Sequence, residues 1–235
     1  MRSSFAITAG AKLAPSVASG YVRTVLDRAI DGVGPLRSAH ASADTKLVDA
    51  DGDVEKAIQS LIAMHTRLAG LQGFVTNLGG IAVAPVAVPA NVAGVTLVQC
   101  HLVAGIAHLR GYDLGDPRVR NAILACMLGE DSVADLIKSH RLPSSPMALA
   151  TSPVHDPVLD QRLSREVTAE LVTRTAGRRA ITLIGRRVPF LGGAIGGSAD
   201  AYATWQIGSY TARQLKDRRA PAPAPGSASG AKRRK

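Results

Sequence analysis

From Leu68 to Leu109 the chain carries no Asp, Glu, Lys or Arg, and this neutral run of 42 residues constrains the fold more than any other feature. A helical bilayer span takes about 20 mostly apolar residues, so there is length for two spans or for one buried hairpin. Either solution takes the run out of water. Gly79-Gly80, Pro85 and Pro89 interrupt it. Proline inside a helix loses a backbone hydrogen bond and clashes with the preceding turn. A break is therefore expected between residues 79 and 90, near Pro85–Pro89. Beyond it, Asn91, Thr96, Gln99, His101 and His108 do not share one face. A helix without a polar side belongs in a core or in a membrane.

The rest of the 235-residue chain reads as helix within one domain, because no internal linker divides it. Val22, Val25, Leu26, Ala29, Ile30 and Val33 recur at helical spacing and stop at Gly34-Pro35. His40 to Gly52 is polar and reads as loop. Asp53 is placed to cap a helix whose inner face is Val54, Ala57, Ile58, Leu61, Ile62 and Leu68. Asp116-Pro117 starts another, with cap and N1 proline both in place. Asp131 caps a short helix to His140, and residues 141–157, with four prolines, read as loop. Leu159, Leu163, Val167 and Leu171 mark a further helix, with Arg162–Glu166 and Glu170–Arg174 as surface pairs. A last apolar segment from Ile181 to Leu215 is headed by Pro189.

Only 8 residues are aromatic, so the apolar mass is aliphatic and small, which favours close-packed helices over a β-sandwich. The same scarcity leaves no Trp/Tyr belt of the kind ordinary multi-span proteins carry. Of the formal charge of +10, residues 216–235 supply +6, so basicity belongs to the tail. Pro221 onward has the composition of a disordered linker ending in Lys232–Lys235. Such a cluster attracts anionic lipid at about 1 kcal/mol per residue. Without aromatics or a reading motif, nucleic acid is the weaker partner. Cys100 and Cys126 read as small core hydrophobes of a reducing compartment, not a disulfide framework. The first residues lack a clean secretory apolar run.

Gly192, Gly193, Gly196 and Gly197 form two overlapping GxxxG patterns, continued by Asp200, Thr204 and Gly208. A stripe of small residues lets another backbone approach closely. The run lacks the Lys-Ser/Thr of a P-loop and the strand context of a dinucleotide fingerprint. Asp200 is the one charge between Arg187 and Arg213, and a buried carboxylate needs a partner such as Arg187, Arg118 or Arg120. In Gly111–Arg120, Asp113 and Asp116 read as caps rather than metal ligands. His101 and His108 share a helix face without a third ligand, and no GxSxG, HExxH or CxxC occurs.

Four blocks together resemble the EcsC family of bacterial proteins: Gly73–Leu109, GYDLGDPRVR at Gly111–Arg120, ILACMLGED at Ile123–Asp131, and Val188–Arg213. The resemblance spans residues 20–215 and implies an all-helical fold and membrane association. It brings no agreed catalytic residues. The family takes its name from a protein encoded beside an ABC transporter. Residues 141–157 are shorter and richer in proline than the family pattern, and the PAPAP tail stands outside it.

The resulting expectation is an all-α protein with a flexible start (1–14), a helical domain (15–216) and a disordered basic tail (217–235). An apolar hairpin packs on the glycine-striped final helix. The expected function is non-catalytic and without cofactor or metal: binding of lipid, or of a membrane protein such as a transporter, at the cytoplasmic face of a membrane. Gln99, Asp113, Asp116, Arg118, Arg120, Gly192, Gly193, Gly196, Gly197 and Asp200 are the candidate binding residues. Rival readings are a soluble bundle enclosing a lipid or other apolar small molecule, and a hydrolase using Ser198 or an Asp/His pair.

Overall fold

The computed structural model describes the backbone of residues 15–78, 80–184 and 189–219, and the side chains of 20–75, 93–171, 173 and 196–219. Among the described residues the fold is all-α, with nine helices. They are α1 (Pro15–Asp31), α2 (Ala39–Asp49), α3 (Val54–Leu78), α4 (Gly80–Leu109), α5 (Pro117–Leu128), α6 (Glu130–Lys138), α7 (Pro146–Ala150), α8 (Pro157–Ile184) and α9 (Pro189–Gln214). The expected flexible start at 1–14, and the tail from 220, lie outside the described residues.

The interior is built on α5 and the second half of α4. Every α5 residue from Asn121 to Leu128 is buried, and so is every α4 residue from Val95 to Ala107 except Leu97 and Val98. Around them pack Val22, Val25, Leu26 and Ala29 of α1, Leu159, Leu163 and Val167 of α8, and Ile207 and Tyr210 of α9. A second cluster joins Ala57, Ile58, Leu61 and Ile62 of α3 to Leu102, Ile106 and Leu109 of α4. Burying one such Leu or Ile stabilises by about 1.5–3 kcal/mol. The last part of the neutral run, Val95 to Leu109, is thus a core helix, largely enclosed by protein.

Four local expectations are corrected. His40–Gly52 is not loop: α2 fills Ala39–Asp49, its first turn capped by the Ser38 hydroxyl, which accepts from Ala41 N. Its inner face is Ala39, Ala43 and Leu47, four apart, and the two alanines carry a weak apolar signal. Helix α3 ends at Leu78, and α4 starts at Gly80 and continues through Pro85 and Pro89, so the two helices part ahead of both prolines rather than beside them. Each proline removes one ladder bond, and the α4 backbone stays helical through both. Glu166 pairs with Arg141 rather than Arg162, whose guanidinium turns to the Arg141 carbonyl. Within 141–157, Ser145 and Pro146 start the short α7.

Between α1 and α2, Val33 and Leu36 exchange backbone hydrogen bonds of 2.9 and 3.0 Å. Gly32 makes this closure possible, with φ at +90° and its α-carbon facing the Leu36 carbonyl.

Candidate functional site

The GYDLGDPRVR block forms the turn from α4 to α5. Gly111 at φ +80° ends α4, and Tyr112 N donates to Ala107 O. The Asp113 carboxylate accepts from Gly115 N at 2.8 Å. Asp116 caps α5 by accepting from Arg118 N at 2.8 Å, with Pro117 at N1. The Arg118 guanidinium folds back on the same carboxylate and also donates to Ser152 O at 2.6 Å. Hydrogen bonding to Arg118 holds the Asp116 carboxyl below its usual range. Arg120 points the other way, to Asp27 of α1 at 2.7 Å and to Leu114 O at 3.0 Å.

The chain after α9 returns to this turn. Arg218 N donates to Arg110 O at 2.9 Å, and its guanidinium lies 5.6 Å from the centre of the Tyr112 ring. Residues 217–219 therefore belong to the folded body, three past the boundary expected at 216. A polar hollow of about 360 Å³ remains, lined by Tyr112, Asp113, Asp116, Arg118, Thr151 and Arg218. Its two carboxylates and two guanidiniums balance, and Asp116 and Arg118 are spent on each other. Of the sequence-selected cluster, Asp116, Arg118 and Arg120 hold helices together, and Asp113 shapes the turn.

Gln99 and the glycine stripe lie elsewhere, in the seam of α3, α4 and α9. Gly70 faces Gly197 and Ala201, Gly73 faces Gly196 and Asp200, and Gly208 faces Ile62 and Leu102. The two helices therefore run antiparallel with backbones nearly touching: a Cβ on Gly197 would lie 2.7 Å from Gly70 O. Asp200, 1% exposed, rests its carboxylate against the bare α-carbon of Gly73. Arg118 and Arg120, two of its expected partners, are committed to Asp116 and Asp27. Arg187 lies outside the described residues, as do Gly192 and Gly193 beyond their place in α9. Gln99 donates to the Thr204 hydroxyl at 3.1 Å, crossing from α4 to α9 in the core. The selected residues thus divide between two places and do not form one site.

His101 has a partner that spacing did not reveal. His65 Nε2 stands 2.8 Å from His101 Nδ1, and the rings meet edge to edge with centroids 5.0 Å apart. The outer nitrogens face carbonyls: His65 Nδ1 is 2.8 Å from Leu61 O, and His101 Nε2 is 3.0 Å from Arg37 O. Carbonyls only accept, so both outer nitrogens must donate, and the central contact needs one proton more. Three protons on two rings make an imidazolium. Burial lowers both pKa values, that of His65 to about 4. At neutral pH the pair is uncharged, and one of its three contacts lacks a proton. Leu61 O keeps its own helical bond, so the contact to His65 Nδ1 is the one most cheaply released.

The exposed feature is on α3. Just past Arg67, Leu68, Leu71 and Val75 are 41%, 62% and 58% exposed on one face of the helix. Beside them a groove of about 460 Å³ runs between α2 and α3. Tyr202 and Trp205 of α9, also exposed, stack at 6.0 Å. Because Gly70 sits against Ala201 and Ile62 against Gly208, this aromatic pair lies level with Arg67 along the bundle. No sequence signal separates Leu68, Leu71 and Val75 from the buried residues of the same apolar run.

Among the described residues, no helix is long and apolar enough to cross a membrane, and no three or more His, Cys, Asp or Glu residues are grouped to hold a metal ion. No family model matches the chain, and no curated protein or solved structure matches it.

Proposed function

We propose that this chain is a non-catalytic, membrane-associated protein of the EcsC type, which meets the cytoplasmic face of a bilayer through the exposed side of α3 and the neutral run that follows it. The observation that carries this reading is the apolar stripe Leu68–Leu71–Val75, exposed where a folded protein ordinarily buries such residues. It begins one residue past Arg67, the last charge before Arg110. Tyr202 and Trp205, level with Arg67, supply the aromatic type that favours the boundary between headgroups and hydrocarbon. Contact is shallow, of the kind made by helices that sink an apolar face about 5–10 Å into the interface.

Vesicle flotation tests this. The full-length protein is expected to float with liposomes at high salt, where screening removes attraction by the basic tail. Flotation at low salt only, lost when Lys232, Arg233, Arg234 and Lys235 are changed to Gln, would assign binding to the tail and sink the reading. A membrane protein partner such as a transporter is the second form of the proposal; it predicts binding to native membranes but not to protein-free liposomes.

A further inference from the structure

The groove between α2 and α3 combines two chemistries. Its walls are Lys46 of α2 and Ser60, Met64, Arg67, Leu68 and Leu71 of α3. Along the groove, the Ser60 hydroxyl and the Arg67 guanidinium of α3 and the Lys46 ammonium of α2 alternate with Met64, Leu68 and Leu71, and the apolar face runs on to Val75. Lys46 is 2.8 Å from the half-exposed Asp49, which pairs with its charge. Arg67 is exposed and makes no ion pair or hydrogen bond with a described residue. A guanidinium fits phosphate oxygens bidentately. From Arg67 to Val75 is eight residues, about 12 Å of apolar helix face at the helical rise.

Resting on the membrane reading above, we infer that this groove is a headgroup site for an anionic glycerophospholipid. Arg67 and Lys46 take the phosphate, Ser60 donates to it, and an acyl chain lies along Leu68, Leu71 and Val75. Anionic lipid is preferred over choline lipid because a quaternary ammonium would be set against two cations.

The test uses the full-length protein with tail residues Lys232, Arg233, Arg234 and Lys235 changed to Gln, on vesicles of phosphatidylcholine alone or mixed with phosphatidylglycerol. Arg67→Gln is expected to weaken partitioning onto the mixed vesicles about fivefold and the Lys46→Gln double variant further, with binding to phosphatidylcholine alone unchanged. Lys138→Gln, another exposed cation, is expected to have no such effect. An unchanged melting temperature for Arg67→Gln confirms that the fold is intact. If Arg67→Gln binds both vesicles like its parent while Leu71→Ser lowers both, the stripe inserts without a headgroup site, and this inference fails while the membrane reading stands. If the parent binds neither vesicle, both fall.

Discussion

His65 Nε2 lies 2.8 Å from His101 Nδ1, and the two rings join α3 and α4 to the Arg37 carbonyl ahead of α2. The described contacts need three protons, and burial leaves the pair two. The pair is therefore sensitive to acid. A histidine whose folded pKa is depressed contributes stability that is whole above its unfolded pKa of about 6.5 and is lost as pH falls toward its folded value. With His65 near 4, the loss runs between about pH 6.5 and 4 and amounts to as much as about 3 kcal/mol. Urea denaturation at pH 7.5 and 4.5 measures it. His65→Asn is expected to flatten the slope; an equal slope in parent and variant would contradict the assignment.

Helix contact in the α3/α9 seam depends on missing side chains. Gly197→Ala sets a methyl 2.7 Å from Gly70 O, where only backbone could yield. Overpacking of this kind costs about 1–3 kcal/mol. Gly20→Ala, in α1 with nothing within 4 Å, instead gains helix propensity, up to about 1 kcal/mol. Denaturation midpoints that move in opposite directions for the two alanines would bear this out.

Arg110 fastens three elements. It is 8% exposed, its guanidinium meets Glu55 of α3 and donates to Ala212 O of α9, and its own carbonyl receives Arg218 N. Arg110→Ala is expected to destabilise by about 2–4 kcal/mol, since it frees the Ala212 carbonyl and opens space at the end of α4. Asp116→Ala should cost about 1 kcal/mol for the lost cap, with Asp116→Asn largely preserving stability. Thermal melts of the three variants rank these effects.

Both thiols are shut in. Burial pushes Cys100 and Cys126 up to about 12. Neither should react with a thiol reagent at pH 8 in the native protein, and both should react once the chain is unfolded. Prompt native reaction of either would contradict the burial of α4 or α5.

Residue pattern and structure agree where the signal is large and local. Val22, Val25, Leu26 and Ala29 recur at helical spacing and are all buried. Asp116-Pro117 caps α5, and Gly196, Gly197 and Gly208 serve close packing on the described part of the stripe. Helix α2 was hidden because alanines make its inner face, and alanine reads as apolar or neutral alike. Candidate site residues were less legible. Arg118 and Arg120 are two apart in sequence, yet one folds back on Asp116 and the other crosses to α1. In a run as uniformly apolar as Leu68–Leu109, no period marks the exposed side, and only the packing of α9 leaves Leu71 uncovered.

Labelling position 71 tests the central claim most directly. With Cys100 and Cys126 unreactive, Leu71→Cys can carry a nitroxide, and Val158→Cys on α8 serves as an equally exposed control. Collision rates with oxygen, against those with a water-soluble nickel chelate, report depth once liposomes are added. Position 71 is expected to become oxygen-rich and chelate-poor while position 158 stays as in solution. An unchanged chelate rate at position 71 in liposome-bound protein would contradict the account.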